Sequence, residues 1–123
     1  ISGKYELRRM EISSGTNKKP EETVSMRVDD SLIEQTIEGG DGAVDAVFKA
    51  IAGITETKSR LEKYEVKAIT GGTDAQGEVT VCLEEDGKKS RGHGADTDII
   101  IASAKAYINA LNRLVANNLK KSN

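Results

Sequence analysis

The chain has 123 residues, eighteen of them basic and twenty acidic, for a net charge of −2, with one proline, one cysteine, one histidine and no tryptophan. That length suits one ordinary domain and is too short for a (β/α)8 barrel. No Lys/Arg cluster stands clear of neighbouring acids and no apolar run reaches the length of a membrane span, so nucleic acid and membrane are not expected as partners.

The first residues, Ile1-Ser2-Gly3-Lys4, lack the hydrophobic segment of a signal peptide and start without Met, which reads as a fragment of a longer chain. Tyr5 to Ile12 is predicted as a strand with imperfect alternation. Tyr5 and Leu7 share one parity and Met10 and Ile12 the other, so a bulge or burial on two sides is required. Thr16-Asn17-Lys18-Lys19-Pro20-Glu21 reads as a polar loop around the only proline, and Thr23 to Val28 alternates as a half-buried strand. After the turn Asp29-Asp30-Ser31, a short strand from Leu32 to Ile37 leads to the turn Gly39-Gly40-Asp41-Gly42. A helix then runs from about Ala43 to Ile54 with the stripe Val44, Val47, Phe48, Ile51 and Ile54.

The second half repeats the order. Arg60 to Thr70 is a strand, Glu78 to Glu84 alternates through Val79, Val81 and Leu83, Asp86-Gly87 is a hairpin turn, and Lys88 to Gly94 is a third strand. The glycine-rich stretch Gly92-His93-Gly94-Ala95 hands over to an acidic cap, Asp96-Thr97-Asp98, in which Thr97 or Asp96 caps a long helix. Its stripe is Ile100, Ala104, Tyr107, Ile108, Leu111, Leu114 and Val115. Beside it runs a line of small residues, Ser103, Ala106 and Ala110, which would let another backbone approach closely.

The fold class is therefore α+β, two strand-strand-strand-helix units at about residues 4–57 and 60–121. Lys4-Tyr5-Glu6-Leu7 echoes Lys63-Tyr64-Glu65-Val66, and Lys49-Ala50-Ile51 echoes Lys105-Ala106-Tyr107. A unit of three strands and one helix cannot cover both faces of its sheet, so two units or two chains must share a core. A homodimer is expected, because the sheets and the small-residue helix face leave more apolar surface than one chain can cover.

Little here supports catalysis. Cys82 and His93 cannot assemble a disulfide, a Cys/His metal site or a nucleophilic triad. Cys82 then reads as a small packing residue, His93 as an ordinary strand residue, and the compartment as reducing and cytoplasmic. Gly92-His93-Gly94-Ala95-Asp96-Thr97 is one residue short of a dinucleotide pattern, and Asp96 and Asp98 would repel a phosphate. For these two carboxylates the plainer alternative is capping and nothing more. At the first helix start, Gly40-Asp41-Gly42-Ala43-Val44-Asp45-Ala46 combines backbone donors with an acid. The donors can take a carboxylate and Asp45 an ammonium, which matches a free amino acid; the plainer alternative for Asp45 is a solvated first-turn acid.

The runs from Gly40 to Ile51, Gly92 to Ile100 and Ser103 to Tyr107 resemble the C-terminal regulatory domain of the 2-isopropylmalate synthase family, shared by citramalate synthases, over about Tyr5 to Leu114. Ala43 departs from the proline common at that position. The resemblance implies an intertwined homodimer that binds the pathway's end product between the first helix start and the first strands of the second unit. Carried over by motif, the implied ligand residues are Val44, Asp45, Leu61, Tyr64, Ala68, Ala75, Gly77, Thr97 and Asp98, with Leu61, Tyr64, Ala68 and Ala75 forming an apolar pocket. L-Leucine is the implied ligand. L-Isoleucine, in a citramalate synthase, and a dimerisation module without a ligand are the alternatives. No cofactor is expected on this fragment; the acyl-transfer chemistry, with its divalent metal and acetyl-CoA, would belong to a catalytic barrel domain of the parent chain.

Overall fold

The computed structural model describes residues 3–38, 42–69 and 75–121. In chain order the elements are β1 (Tyr5–Gly15), β2 (Lys18–Val28), β3 (Ser31–Glu38), α1 (Ala43–Thr55), β4 (Arg60–Ile69), β5 (Gln76–Glu85), β6 (Lys88–Asp96) and α2 (Ile99–Lys121). Two compact units divide between Thr57 and Lys58. Each is an antiparallel sheet in sequential order, sheet A (β1-β2-β3) or sheet B (β4-β5-β6), followed by its helix. The α+β class and the twice-repeated strand-strand-strand-helix order are as expected from the sequence. Among the described residues no helix is long and apolar enough to cross a membrane.

A bulge explains the uneven alternation of β1. The register slips between Leu7 and Arg9, so Tyr5, Leu7, Met10 and Ile12 pair with Val28, Met26, Val24 and Glu22 and share one face. Tyr5, Val24 and Met26 are buried there. The same device recurs in β4, where the slip lies between Leu61 and Lys63. The two bulges correct the repeat: Met10, opposite Val24, is the counterpart of Tyr64, opposite Val81, whereas the Lys-Tyr-Glu echo aligned Tyr5 with Tyr64.

Residues 16–21 are not the loop that their polarity implied. The turn is confined to Thr16-Asn17, with Asn17 at φ 64°, and β2 begins at Lys18. Pro20 is tolerated because it sits where the β1 pairing is irregular, between Gly15↔Lys18 and Ser13↔Glu21, and beyond the end of β3, so its missing N–H deprives neither ladder of a regular bond. The strand expected from Leu32 to Ile37 is one residue longer at each end. Asp86 and Gly87 make the tight β5–β6 turn, at φ 52° and 80°.

Each helix lies on one face of its own sheet. In the first unit α1 packs on β2 and β3 and buries Ala46, Val47, Phe48, Ala50, Ile51 and Ile54. In the second, α2 packs on β5 and β6 over the fully buried Val79, Val81 and Leu83. Gly92 and Gly94 belong to β6, as expected, and they face the α2 backbone: a Cβ on Gly92 would run into the Ala106 carbonyl and the Ala110 amide, one on Gly94 into the Ala102 carbonyl and Ala106 amide. The small-residue line of α2 is thereby used up. Ser103, Ala106 and Ala110 are fully buried, so they do not form the exposed face on which the composition argument for a dimer partly rested.

Candidate functional site

The two helix starts looked alike in sequence and differ in structure. At α2 side-chain carboxylates take part of the donor set. Asp98 Oδ1 accepts the Ile100 N–H at 2.8 Å, and Asp96 Oδ1 accepts the Asp98 N–H at 2.9 Å. Asp98 is therefore the cap, in place of Thr97 or Asp96. The Asp98 amide, followed by the Lys105 ammonium at 3.0 Å, holds the Asp96 carboxyl below the usual carboxylate range. Asp98→Ala is expected to lower stability by about 1 kcal/mol through loss of this cap, read as a shift of the urea midpoint.

At α1 the N-cap residue is Gly42, at φ 125°, and among the described residues no side chain caps the helix. The Ala46 amide has its ordinary partner, the Gly42 carbonyl at 3.0 Å. Among the described residues no side-chain acceptor reaches the first-turn N–H groups, which is the condition for receiving a ligand carboxylate. Asp45 stands in that turn with its carboxylate 3.0 Å from the Lys49 ammonium, an exposed pair spaced i,i+4. Val44 is half-buried beside it. Gly39, Gly40 and Asp41 of the expected turn lie outside the described residues.

The other implied site residues all belong to the second unit. Ala68, Gly77 and Asp96 occupy one rung across β4, β5 and β6, and Thr97 and Asp98 follow at the start of α2. Ala75 is exposed immediately before β5. These residues share one end of sheet B. Gly77 leaves room for Ile99, whose side chain occupies the space that a Cβ would need.

Leu61 and Tyr64, three apart, would fall on opposite faces of a regular strand. The β4 bulge puts both on the α2 side, in a row with Val66 and Ala68. Because α2 leans over β5 and β6, the row remains open, with Leu61 42% and Val66 49% exposed. The Tyr64 hydroxyl meets Ser103 Oγ at 2.8 Å, and Ser103 in turn donates to the Ile99 carbonyl at 2.7 Å, so this ring is tied to α2 and is more than a passive wall.

Two residues escaped the motif. Val66 completes the apolar row, and plain alternation from Tyr64 would have found it. Glu22 is 4% exposed on the face of Val24 and Met26, its Oε2 has no hydrogen-bond partner among the described residues, and burial pushes its carboxyl above the usual range. Its parity with Val24 was the available signal. His93 is exposed on the opposite face of sheet B, with Nδ1 3.0 Å from Thr80 Oγ1.

Residues 2–115 match the family model of the LeuA allosteric (dimerisation) domain. The chain is 48% identical over 118 residues to a 2-isopropylmalate synthase of Heliobacterium modesticaldum, covering 96% of this chain and 23% of that protein. It is 52% identical over 114 residues to the 2-isopropylmalate synthase of Syntrophus aciditrophicus, covering 93% and 22%. It is also 46% identical over 119 residues to that of Prochlorococcus marinus strain SARG, covering 97% and 22%. The chain thus spans under a quarter of the length of these relatives. With two βββα units and a family match across nearly its whole length, this chain belongs to the LeuA allosteric (dimerisation) domain family.

Proposed function

We propose that this chain is the amino-acid-sensing domain of a 2-isopropylmalate synthase, that it binds L-leucine, and that binding restrains acyl transfer by the catalytic domain of the parent chain. The observation that carries the reading is the start of α1. An anion alone would be repelled by Asp45, and a cation alone would find the positive end of a helix dipole; a zwitterion satisfies both. In this reading the uncapped first-turn amides take the α-carboxylate, Asp45 takes the α-ammonium in exchange for its exposed Lys49 partner, and Val44 lies beside the ligand. Leu61, Tyr64, Ala68, Ala75 and Gly77 supply the apolar contacts, and Thr97 and Asp98 complete the polar ones. The working form is a homodimer. The divalent metal and acetyl-CoA belong to the catalytic domain of the parent chain.

Thermal unfolding with each amino acid tests this. Leucine at 100 times its dissociation constant should stabilise the fold by about 2.7 kcal/mol. A larger shift with isoleucine than with leucine would move the reading to a citramalate synthase. Equal midpoints with and without either amino acid at millimolar concentration would leave a dimerisation module without a ligand.

A further inference from the structure

The face of sheet B turned away from α2 carries a second, unassigned feature. Lys63, Cys82 and Arg91 are direct cross-strand partners on one rung of β4, β5 and β6. Strands are about 4.8 Å apart, so the two cations flank the short Cys82 side chain with backbones about 10 Å from each other. A concavity of about 520 Å3 results, lined by Glu62, Lys63, Cys82, Lys89, Ser90 and Arg91. That volume suits a small molecule.

The charge of this hollow runs against that of the chain. Three cations and one carboxylate line it, on a protein whose net charge is −2. Lys63 pairs with Glu65 at 2.6 Å and Lys89 with Glu62 at 3.5 Å, but both pairs are exposed and can open at little cost. Arg91 makes no close ion pair among the described residues, although its charge reaches the Glu65 carboxylate beside Lys63, and its planar fork is suited to binding an oxyanion with two parallel bonds.

We propose that the Lys63–Cys82–Arg91 rung binds a small oxyanion, the carboxylate or phosphate group of a metabolite, on the opposite face of sheet B from Tyr64. The site is independent of the amino-acid reading, because none of its residues belongs to the proposed leucine set.

Amide chemical shifts of this chain, followed during titration with inorganic phosphate and separately with acetate, against sodium chloride at matched ionic strength, are the test. Saturable shifts centred on Lys63, Cys82 and Arg91 with phosphate or acetate are expected, and whichever anion saturates identifies the group recognised. Arg91→Gln should weaken the effective anion roughly tenfold or more, the equivalent of losing one charge-assisted bond, with an unchanged melting midpoint. Cys82 gives an independent readout. Its alkylation rate by anionic iodoacetate relative to neutral iodoacetamide should exceed the ratio for free cysteine, and should fall in Arg91→Gln. Shifts that chloride reproduces equally, that are absent with both oxyanions, or that persist unchanged in Arg91→Gln overturn the proposal.

Discussion

Gly92→Ala is expected to destabilise the second unit by about 3–5 kcal/mol, more than any single loss of a surface interaction in this chain. The added methyl would enter the space of the Ala106 carbonyl and the Ala110 amide. Both obstacles are backbone, so no side-chain rotation relieves them and α2 must move off β6. Overpacking of this kind costs about 1–3 kcal/mol. The displacement also breaks the bonds that Ser90 Oγ donates to the Ala110 carbonyl at 2.8 Å and Asn109 Nδ2 donates to the His93 carbonyl at 2.6 Å, each worth about 1 kcal/mol. Gly94→Ala should act by the same displacement, and the double variant should lose less than the sum, since one movement of α2 relieves both clashes. Gly87→Ala is the control: that residue has open space around it and a φ of 80°, so it tests backbone strain without crowding and should cost about 1 kcal/mol. Urea unfolding separates the cases. A Gly92→Ala midpoint indistinguishable from wild type would show that helix–strand contact is looser than described.

This close approach also marks how far the sequence could be read. The repeat, the helix spans and the alternation of β2 and β5 were legible because they follow directly from apolar spacing. Gly92 and Gly94 fall within the predicted third strand, but why glycine stands there was not legible, since sequence alone cannot tell a glycine that bends a chain from one that admits a neighbouring helix. The small residues of α2 posed the matching half of that problem. Ser103, Ala106 and Ala110 announced a close partner, and the partner is β6 of the same unit.

Register slips account for most of the remaining differences. Leu61 and Tyr64 join one apolar row only because Glu62 bulges, and the same bulge in β1 moves the true repeat five residues away from the lexical one. Capping was decided by one hydrogen bond among three adjacent candidates, Asp96, Thr97 and Asp98, each of which has a suitable oxygen. The contrast between the helix starts was not legible at all, because Asp45 and Asp98 occupy similar glycine-acid contexts. Asp98 precedes its helix and caps it, while Asp45 stands inside the first turn and makes no capping bond.

That difference leads to the expected behaviour of Asp45. On the proposed reading, Asp45→Asn should weaken leucine by about 1.5–3 kcal/mol, the range for a hydrogen bond assisted by charge. Its effect on the fold should be small. The carboxylate is 41% exposed and its Lys49 pair is an i,i+4 surface interaction, worth about 0.3–0.5 kcal/mol, with a further few tenths from the helix dipole. Lys49→Ala distinguishes a ligand role from a structural one. If Asp45 merely supports α1, the two variants should behave alike. If it receives the ammonium, removing Lys49 frees it, and leucine should bind as tightly as before or more so. Tyr64→Phe is the apolar counterpart. It gives up the Ser103 bond at about 1 kcal/mol of stability but keeps the ring, so leucine affinity should hold, and the preference between leucine and isoleucine should stay within about 1–3 kcal/mol, as for any discrimination by one methyl position. Titration calorimetry on the wild type and these three variants reads all four affinities. Equal leucine affinity in Asp45→Asn and wild type would remove Asp45 from the site, and a parallel loss in Lys49→Ala would assign it to the helix.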